Sequence, residues 1–228
     1  MRRLVEPELL DSLAPDDLAA VWSRRDLRRI NWWMRNERHV ANAIASLRER
    51  PLTILEFGAG DGTFMLKVAQ RLGPAQGCLY LLDREPVIEP KTIDQLSALG
   101  WKTTVIKADV HEWLKSADAT AVDLILANLF LHHFQEAELK IMFERCAVIA
   151  RNFIGCEPRR WRPASLATRL LGLIGCNHVT RHDAAVSVRA GFAERELSEL
   201  WGNDTFEIRE GPAGLASHLF VAQKRLGS

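Results

Sequence analysis

The sequence predicts an α/β fold in which an open, mostly parallel sheet of seven strands carries helices on both faces. From Leu52 onward, short apolar runs alternate with amphipathic segments of helical period, the pattern of parallel strands joined by helices. A glycine-rich turn joins the first strand of this series to its first helix. Two strand-like runs, 205–210 and 218–223, close the chain and are expected to pair antiparallel at the sheet edge.

The other elements are predicted in chain order. Strands are expected at 52–57, 78–82, 102–107, 122–127 and 149–156, with helices between them at about 63–73, 89–99, 111–116 and 136–147. The alternation stops after Cys156, where residues 157–183 contain an arginine-rich turn and a short apolar helix at 166–174. A helix at about 183–201 follows, with Asp183 as its N-cap. Because an open sheet binds ligands at the carboxyl ends of its strands, the functional residues are expected there.

The first fifty residues are predicted to be helical. Pro15 and two acidic residues mark a helix start, and Pro51 ends a longer helix predicted from 24 to 50. Within that helix, apolar residues recur at steps of three and four and form one face, which consists of Leu27, Ile30, Trp33, Val40, Ile44 and Leu47. Such a face requires something to cover, and the glycine turn follows directly in the chain.

Composition excludes several classes of function. Apolar residues make up 47% and charged residues 26% of the 228 residues, which suits a globular chain with a sizeable core. A net charge of +1 argues against nucleic acid as a partner, and no run approaches the roughly 20 apolar residues of a membrane span. Four cysteines without a C-x-x-C pair and an N-terminus without an apolar signal segment predict reduced thiols and a cytoplasmic location.

The turn after the first strand is the strongest motif. Glu56 ends an apolar strand, and glycines follow at 58, 60 and 62. Glycine allows positive φ angles and has no Cβ to hold a ligand away, while free amides at the helix start favour polar or negative ligand groups. The dinucleotide fingerprint G-x-G-x-x-G, counted from Gly58, would require glycine at 63, where this chain has Thr. A turn without any ligand is the other alternative.

With its acid and its glycines at every second position, this turn resembles the S-adenosylmethionine (SAM) loop of class I methyltransferases. The resemblance implies a Rossmann-like methyltransferase fold with SAM as cofactor and S-adenosylhomocysteine (SAH) as product. It divides the chain into a helical cap at 1–50 and a SAM-binding domain at 51–228, with a substrate lid at about 157–183. The loop residues that it assigns to the cofactor are Glu56, Gly58, Ala59, Gly60 and Gly62.

Two further acids follow strand ends. Asp83 stands about 20 residues beyond the glycines, the spacing at which a carboxylate accepts hydrogen bonds from ribose hydroxyls. Asp109 follows the third strand, where class I methyltransferases place an acid beside the adenine amino group and use the next backbone amide, here of Val110. Arg84 is a candidate contact to the adenine. Asp83 as an exposed turn acid and Asp109 as an N-cap remain alternatives.

The segment Asn128-Leu129-Phe130-Leu131-His132-His133 follows the fourth strand. Similar Asn/Ser-x-x-x-His-His sequences of small-molecule methyltransferases lie beside the transferring methyl, which implies that Asn128 and the Leu129 backbone hold the methionine end of SAM. The same resemblance implies that Phe130 or Phe57 faces the sulfonium. His132 and His133 are candidates for the general base, since forming a phenolate at neutral pH costs roughly 4 kcal/mol.

The histidines also have blander interpretations. In the alternative interpretation, one of His132 and His133 only packs against or caps the next helix. As metal ligands, the adjacent His132 and His133 and the spaced His178 and His182 lack a separated third ligand, so no metal is predicted. His178 and the preceding Cys176 suggest a nucleophile by composition only, because nothing downstream completes a triad.

Candidate substrate contacts lie in the cap and the insert. Arg159 and Arg160, just past the fifth strand, are suited to a carboxylate or phosphate, although arginines on loops are commonly only solvated. Of Trp32 and Trp33, one is expected to pack the helix and the other to line an aromatic pocket. His178 completes this set.

Three segments give a narrower resemblance: Asp26 to Asn31, Cys156 to Arg160 and Leu171 to Asn177. They are similar to those of small bacterial methyltransferases that accompany type III polyketide synthases, which implies O-methylation of a phenolic polyketide. The expected partner is a small aromatic acceptor, and the expected state is a monomer or homodimer, with no nucleic acid and no membrane. A SAM- or SAH-binding regulatory subunit without catalysis is the alternative, and C-methylation also stays open.

Overall fold

The computed structural model describes residues 2–10, 13–14, 17–116, 121–161, 163–164, 168 and 175–225. Seven strands form its sheet in the order β3-β2-β1-β4-β5-β7-β6. The strands are β1 (Thr53–Phe57), β2 (Gly77–Asp83), β3 (Trp101–Lys107), β4 (Val122–Asn128), β5 (Ala150–Pro158), β6 (Phe206–Ala213) and β7 (Ser217–Lys224). The first five are parallel to one another, while β7 runs antiparallel to both β5 and β6. The predicted fold class is confirmed.

Helices cover both faces of this sheet. In the described part of the chain they are α1 (Leu18–Met34), α2 (Asn36–Ala45), α3 (Thr63–Leu72), α4 (Pro90–Ala98), α5 (Val110–Lys115), α6 (Glu136–Ile149), α7 (His178–Ala190) and α8 (Glu196–Trp201). A short 3-10 turn, Leu131–His133, follows β4. Among the described residues, no helix combines the length and apolar content that crossing a membrane requires.

Side chains of the central strands alternate between two buried layers. In β4, Leu124 and Leu126 pack in the layer that contains residues of α2 and α3. Ile125 and Ala127 point the other way, into the layer that contains residues of α5, α6 and α8. All four are fully buried. A strand that is buried on both faces has a continuous run of apolar residues, and this run is the pattern that predicts β4 from the sequence.

The N-terminal helix is broken where the sequence predicts one helix from 24 to 50. α1 ends at Met34 and α2 begins at Asn36, because Arg35 between them has a φ of 54°, the left-handed conformation that interrupts an α-helix. α2 then ends at Ala45, before Pro51 is reached. The prediction of a single helix is wrong, and the break places Asn36 at the start of a new helix.

The helix predicted at 183–201 is also two helices, α7 and α8. Asn177, and not Asp183, is the N-cap of α7, since its side chain accepts a hydrogen bond from the Thr180 amide at 2.8 Å. Asp183 is buried within the helix and accepts hydrogen bonds from the amides of Leu9 and Leu10 at 2.8 and 3.0 Å. It therefore fastens the N-terminus of the chain. The apolar helix predicted at 166–174 lies outside the described residues except for position 168.

The strand order reverses between β1 and β4, which is where an open sheet of this type binds ligands. The two terminal strands form the predicted antiparallel pair, yet β7 is internal because it also pairs with β5. The glycine turn, Asp83, Asp109, Asn128 and the histidine pair all follow carboxyl ends of parallel strands. The topology thus gathers them at one edge of the sheet.

Candidate active site

The glycine turn has the backbone that its sequence predicts. Gly58, Gly60 and Gly62 have φ angles of 68°, 55° and 71°, a region that residues with a Cβ rarely occupy. The amides of Gly58 and Ala59 both donate to the carbonyl of Leu82, so the turn is tied to the end of β2. Gly62 then serves as the N-cap of α3. The turn passes from strand to helix in a fixed shape.

Two features of this turn suit SAM. A Cβ built on Gly60 would meet no atom within 4 Å, so the space beside its backbone is open. Glu56 is buried, and its Oε2 has no hydrogen-bond partner among the described residues. A ligand ammonium group such as the one on SAM would satisfy that oxygen. Burial, reinforced by the charges of Asp61 and Asp83, raises the pKa of Glu56 well above its usual range, so a cation is needed to hold it ionised.

Asp83 and Asp109, the two acids at the strand ends, both accept hydrogen bonds from nearby backbone amides. Asp83 accepts hydrogen bonds from the amides of Gly60 at 2.8 Å and Glu85 at 2.9 Å. Asp109 caps α5 by accepting from the His111 and Glu112 amides. The N-cap alternative for Asp109 is confirmed, while the contacts of both acids with the cofactor remain predictions. Val110 is buried at the start of α5, and Arg84 is exposed beside Asp83.

Asn128 is oriented by a chain of hydrogen bonds from the N-terminal helices. Asn36 Nδ2 donates to Asn128 Oδ1 at 2.8 Å, and Asn36 Oδ1 in turn accepts from Ser217 Oγ at 2.5 Å. This arrangement leaves the Nδ2 amide of Asn128 as the donor that suits a ligand carboxylate. Leu129 has a φ of 50° and donates its N–H to the Cys156 carbonyl at 3.0 Å, so its own carbonyl is the group suited to a ligand amine.

An aromatic side chain packs against the glycine turn. Phe130 is half-buried, and a Cβ on Gly58 would lie 2.4 Å from its Cδ2, so the missing side chain at 58 makes room for this ring. Phe57 is fully buried in the core layer and cannot reach a ligand. Phe130 is the half-buried one of the two aromatic candidates for the sulfonium, and its contact with the cofactor stays a prediction.

The histidine pair is anchored by a buried carboxylate. His132 is buried, and its Nδ1 lies 2.8 Å from Oε2 of Glu157, which is fully buried at the end of β5. The other oxygen of Glu157 accepts hydrogen bonds from the Phe130 and Leu131 amides at 3.0 and 2.9 Å. Glu157 therefore fixes both the backbone and the imidazole, and the Nε2 of His132 is the nitrogen that faces the site.

The two histidines differ in proton affinity. Burial opposes protonation of His132, but its hydrogen bond with Glu157 and the negative charges of Glu157 and Glu8 outweigh this and raise the pKa of His132 to about 9. His133 is exposed on one side and its ring lies 4.2 Å from that of His132. Loss of solvent, together with the neighbouring His132 cation and Arg84, lowers the pKa of His133 to about 4. At neutral pH the pair carries one positive charge, and it resides on His132.

A third side chain reaches the same point from the N-terminus. Glu8 Oε1 lies 3.7 Å from His132 Nε2. The donor atoms of Glu8, His132 and His133 all lie within 4.8 Å of one another, and they form the one metal-type group found in the described part of the chain. The spaced pair His178 and His182 is not part of it. The site thus combines two carboxylates with one imidazolium and one neutral imidazole.

The two arginines predicted to contact the substrate differ in their surroundings. Arg160 is buried: its Nε donates to the Gly191 carbonyl at 3.1 Å and its guanidinium pairs with Glu196. These partners hold Arg160 within the fold, and substrate binding by this residue stays a prediction. Arg159 is half-buried, and its guanidinium lies 4.4 Å from the ring centre of Trp161, so a substrate role for it remains a prediction.

The other substrate candidates, Trp32, Trp33 and His178, are distant from the histidine pair in sequence. Trp33 is 82% exposed and lines an open cavity of about 350 Å³ with Arg35, Glu37 and Arg71. The Trp32 side chain lies outside what the structure describes. His178 is the exposed first residue of α7. The contacts of these three residues with an acceptor stay predictions.

The buried Arg160 gives a stability prediction. Arg160→Met removes the buried guanidinium and leaves the Gly191 carbonyl and Glu196 without this donor, so the free energy of unfolding is expected to fall by about 2–3 kcal/mol in urea titrations. Arg159→Met, one residue away, is the control and should change it by less than about 1 kcal/mol. If Arg160→Met kept full stability and only weakened acceptor binding, the structural role assigned to this residue would be wrong.

Sequence reasoning missed Glu157, Glu8, Asn36 and Ser217. A signal existed for Glu157, which ends an apolar strand as Asp83 and Asp109 do. The other three reach the site from segments that are distant in sequence, such as Asn36, which is 92 positions from Asn128. No local pattern marks such residues.

Comparison with known proteins agrees with this geometry. Residues 54–152 match the family model of the methyltransferase domain. No curated protein sequence matches the chain. Among solved structures, the plantazolicin methyltransferase BpumL with SAH and a monoazolic desmethylplantazolicin analogue is similar, at 14% identity over 95% of this chain and 94% of that one, with a TM-score of 0.68.

Two further structures share the fold. Magnesium protoporphyrin IX methyltransferase from Synechocystis PCC 6803, with SAH bound, has 14% identity over 95% of this chain and 91% of that one, with a TM-score of 0.53. The pyocyanin biosynthetic protein PhzM has 15% identity over 81% of this chain and 54% of that one, with a TM-score of 0.57. The matched segment contains the glycine turn, both strand-end acids and the histidine pair. Residues 54–152 therefore match a methyltransferase domain, and the chain as a whole shares the fold of methyltransferases that were solved with SAH.

Proposed function

We propose that this chain is a SAM-dependent methyltransferase that methylates a hydroxyl oxygen of a small aromatic acceptor, with His132 as the general base. The observation that carries the proposal is the buried pair of His132 and Glu157, which leaves Nε2 of the imidazole facing the site. SAM, when bound, supplies an electrophilic methyl group that the acceptor oxygen takes as the thioether of SAH departs. The chain's own residues have to place the acceptor and accept its proton.

Proton affinities favour His132 over His133. With a pKa of about 9, freeing His132 of its proton at pH 7 costs about 2.7 kcal/mol, and transfer from a phenol of pKa about 10 costs about 1.4 kcal/mol more. His133, with a pKa of about 4, is uncharged at neutral pH, but a phenol would give up its proton to so weak a base only at a much greater cost. His132 is therefore the better base.

The cofactor is assigned to the edge where β1 and β4 diverge. Glu56 and the open backbone at Gly60 would face its methionine part, together with Asn128 Nδ2 and the Leu129 carbonyl. Asp83 would bind the ribose, and Asp109 with the Val110 amide would bind the adenine. The helical cap at 1–50 and the insert at 157–183 are proposed to cover the acceptor, and a phenolic polyketide is the acceptor that we favour.

The test is methyl transfer from SAM to a panel of simple phenols, resorcinols, aliphatic alcohols and aromatic amines, with the position of the new methyl located by NMR. We expect phenol methyl ethers as the products. Products methylated only on carbon or nitrogen would contradict the proposal. So would failure to methylate any phenol while SAH binding, followed by calorimetry, shows that the cofactor site is intact.

A further inference from the structure

The N-terminal segment 2–10 lies against the active site as a strap. Arg3 donates from Nε to the Ala190 carbonyl at 2.8 Å and from its terminal nitrogen to the Phe134 carbonyl at 2.7 Å. The amides of Leu9 and Leu10 bind the buried carboxylate of Asp183 in α7. These contacts fasten both ends of the strap, at the last residue of α7 and in its interior, so the residues between them are held in place.

Glu8 is the strap residue that faces His132. Its side chain is 12% exposed and that of His132 is 5% exposed, and the distance from Oε1 to Nε2 is 3.7 Å. The hydroxyl of Ser187 donates to the same carboxylate, which fixes its direction. Contact with His132 also lowers the pKa of Glu8, which keeps it ionised despite its burial. A nearly buried carboxylate thus stands beside the nitrogen that we assign as the base.

The distance between these groups has a chemical meaning. At 3.7 Å, Glu8 Oε1 and His132 Nε2 are too far apart for a hydrogen bond with each other. Glu8 Oε1 already accepts a hydrogen bond from the Ser187 hydroxyl, but a carboxylate offers about four lone-pair sites and can accept a further donor placed beside His132. An ionised carboxylate only accepts hydrogen bonds, so its partner on an acceptor molecule must be a hydroxyl or an N–H and not a phenolate. Two neighbouring hydroxyls on one aromatic ring meet this requirement.

We propose that Glu8 is a specificity-determining residue that selects acceptors with a hydrogen-bond donor adjacent to the hydroxyl that becomes methylated, such as catechols. The inference rests on the proposed function. The reacting hydroxyl donates its proton to Nε2 of His132, and the O–H bond that breaks leaves its electron pair on the oxygen. The neighbouring hydroxyl keeps its proton and donates a hydrogen bond to Glu8. An acceptor with a single hydroxyl leaves this buried carboxylate without a new partner.

The test compares catechol-type and phenol-type acceptors that differ only in the second hydroxyl. A hydrogen bond to a carboxylate is expected to make wild-type kcat/KM about ten- to hundredfold higher for the catechol, mainly through a lower KM. Glu8→Gln should abolish most of this preference by weakening the catechol, while SAH affinity measured by calorimetry stays unchanged. Glu6→Gln is the matched control on the same strap: it breaks an exposed pair with Arg189 and should keep the preference.

Three outcomes would overturn the inference. The first is a Glu8→Gln variant that keeps the wild-type preference for the catechol, and the second is a Glu6→Gln variant that loses it equally. The third is loss of turnover on treatment with EDTA and its recovery with Zn²⁺, which would make Glu8 a metal ligand with the two histidines. Analysis of the wild-type products separates failure of this inference from failure of the proposed function. Products methylated on carbon or nitrogen would contradict the proposed function, whatever the Glu8→Gln variant shows.

Discussion

Replacing His132 with alanine is expected to lower turnover of a phenolic acceptor by about 10²- to 10⁴-fold and to leave SAH affinity nearly unchanged. The reason is positional: Nε2 of His132 is the site's strongest base, and Glu157 holds the ring by its other nitrogen. Single-turnover kinetics measure the chemical step, and calorimetry with SAH measures the cofactor site. His133→Ala is the adjacent control, and its effect on turnover should stay below about tenfold.

Because His132→Ala leaves the buried Glu157 without its partner, a second variant guards against loss of the fold. His132→Gln keeps a donor for the carboxylate and removes the base. Both variants are expected to lose turnover, with His132→Gln being the more stable to urea. Wild-type turnover in His132→Gln would remove general-base catalysis by this residue. A larger loss in His133→Ala than in His132→Ala would transfer the role to the neighbour.

The raised pKa of His132 makes activity and stability respond to pH in opposite directions. The neutral imidazole is the base, so kcat/KM is expected to rise with pH, to reach half its limiting value near pH 9 and to level off above about pH 10. The folded-state pKa lies above the unfolded value of about 6.5, so the contribution of this group to stability is complete below about pH 6.5. That contribution is lost as pH rises towards 9. Activity therefore increases over the range in which this part of the unfolding free energy declines.

How far the sequence predicts the site depends on how locally each residue is encoded. The glycine turn, Asp83 and Asp109 were predictable because a strand period followed by an acid or glycine places them at the carboxyl edge. The same rule applies to Glu157, whose carboxylate proves to organise the histidine pair. The strand-end pattern therefore marks Glu157 as well.

Other features have no local signal. Arg35 adopts a left-handed conformation that the helical period around it does not predict, and the resulting break delivers Asn36 to Asn128. Glu8 reaches His132 from the far end of the chain only because α7 holds the strap. Asp183 is of a residue type that favours the N-cap position, but its carboxylate accepts hydrogen bonds from backbone amides of that strap. In each case tertiary contacts, which sequence period does not encode, decide the outcome.

The second large effect is expected at the cofactor turn, where Gly60→Ala should weaken SAH binding by about 1–3 kcal/mol, or about 5- to 150-fold in Kd. The free protein leaves the space beside Gly60 open, so an added methyl group clashes only with a bound ligand. Gly202, which ends α8, has the same φ of 55°, and a Cβ there would make only an ordinary contact with the Glu199 carbonyl at 3.8 Å. Gly202→Ala is therefore the control for backbone strain.

Thermal unfolding and calorimetry together separate strain from obstruction. Both variants carry a left-handed alanine, so each should lose about 1–2 kcal/mol of stability, and this loss says nothing about the ligand. Only Gly60→Ala should also lose affinity for SAH, since only its methyl group points into the space beside the turn. Equal affinities in the two variants would mean that the cofactor does not lie against Gly60. The open space at this glycine would then be a property of the turn alone, and the assignment of Glu56 to the ligand's ammonium group would fall with it.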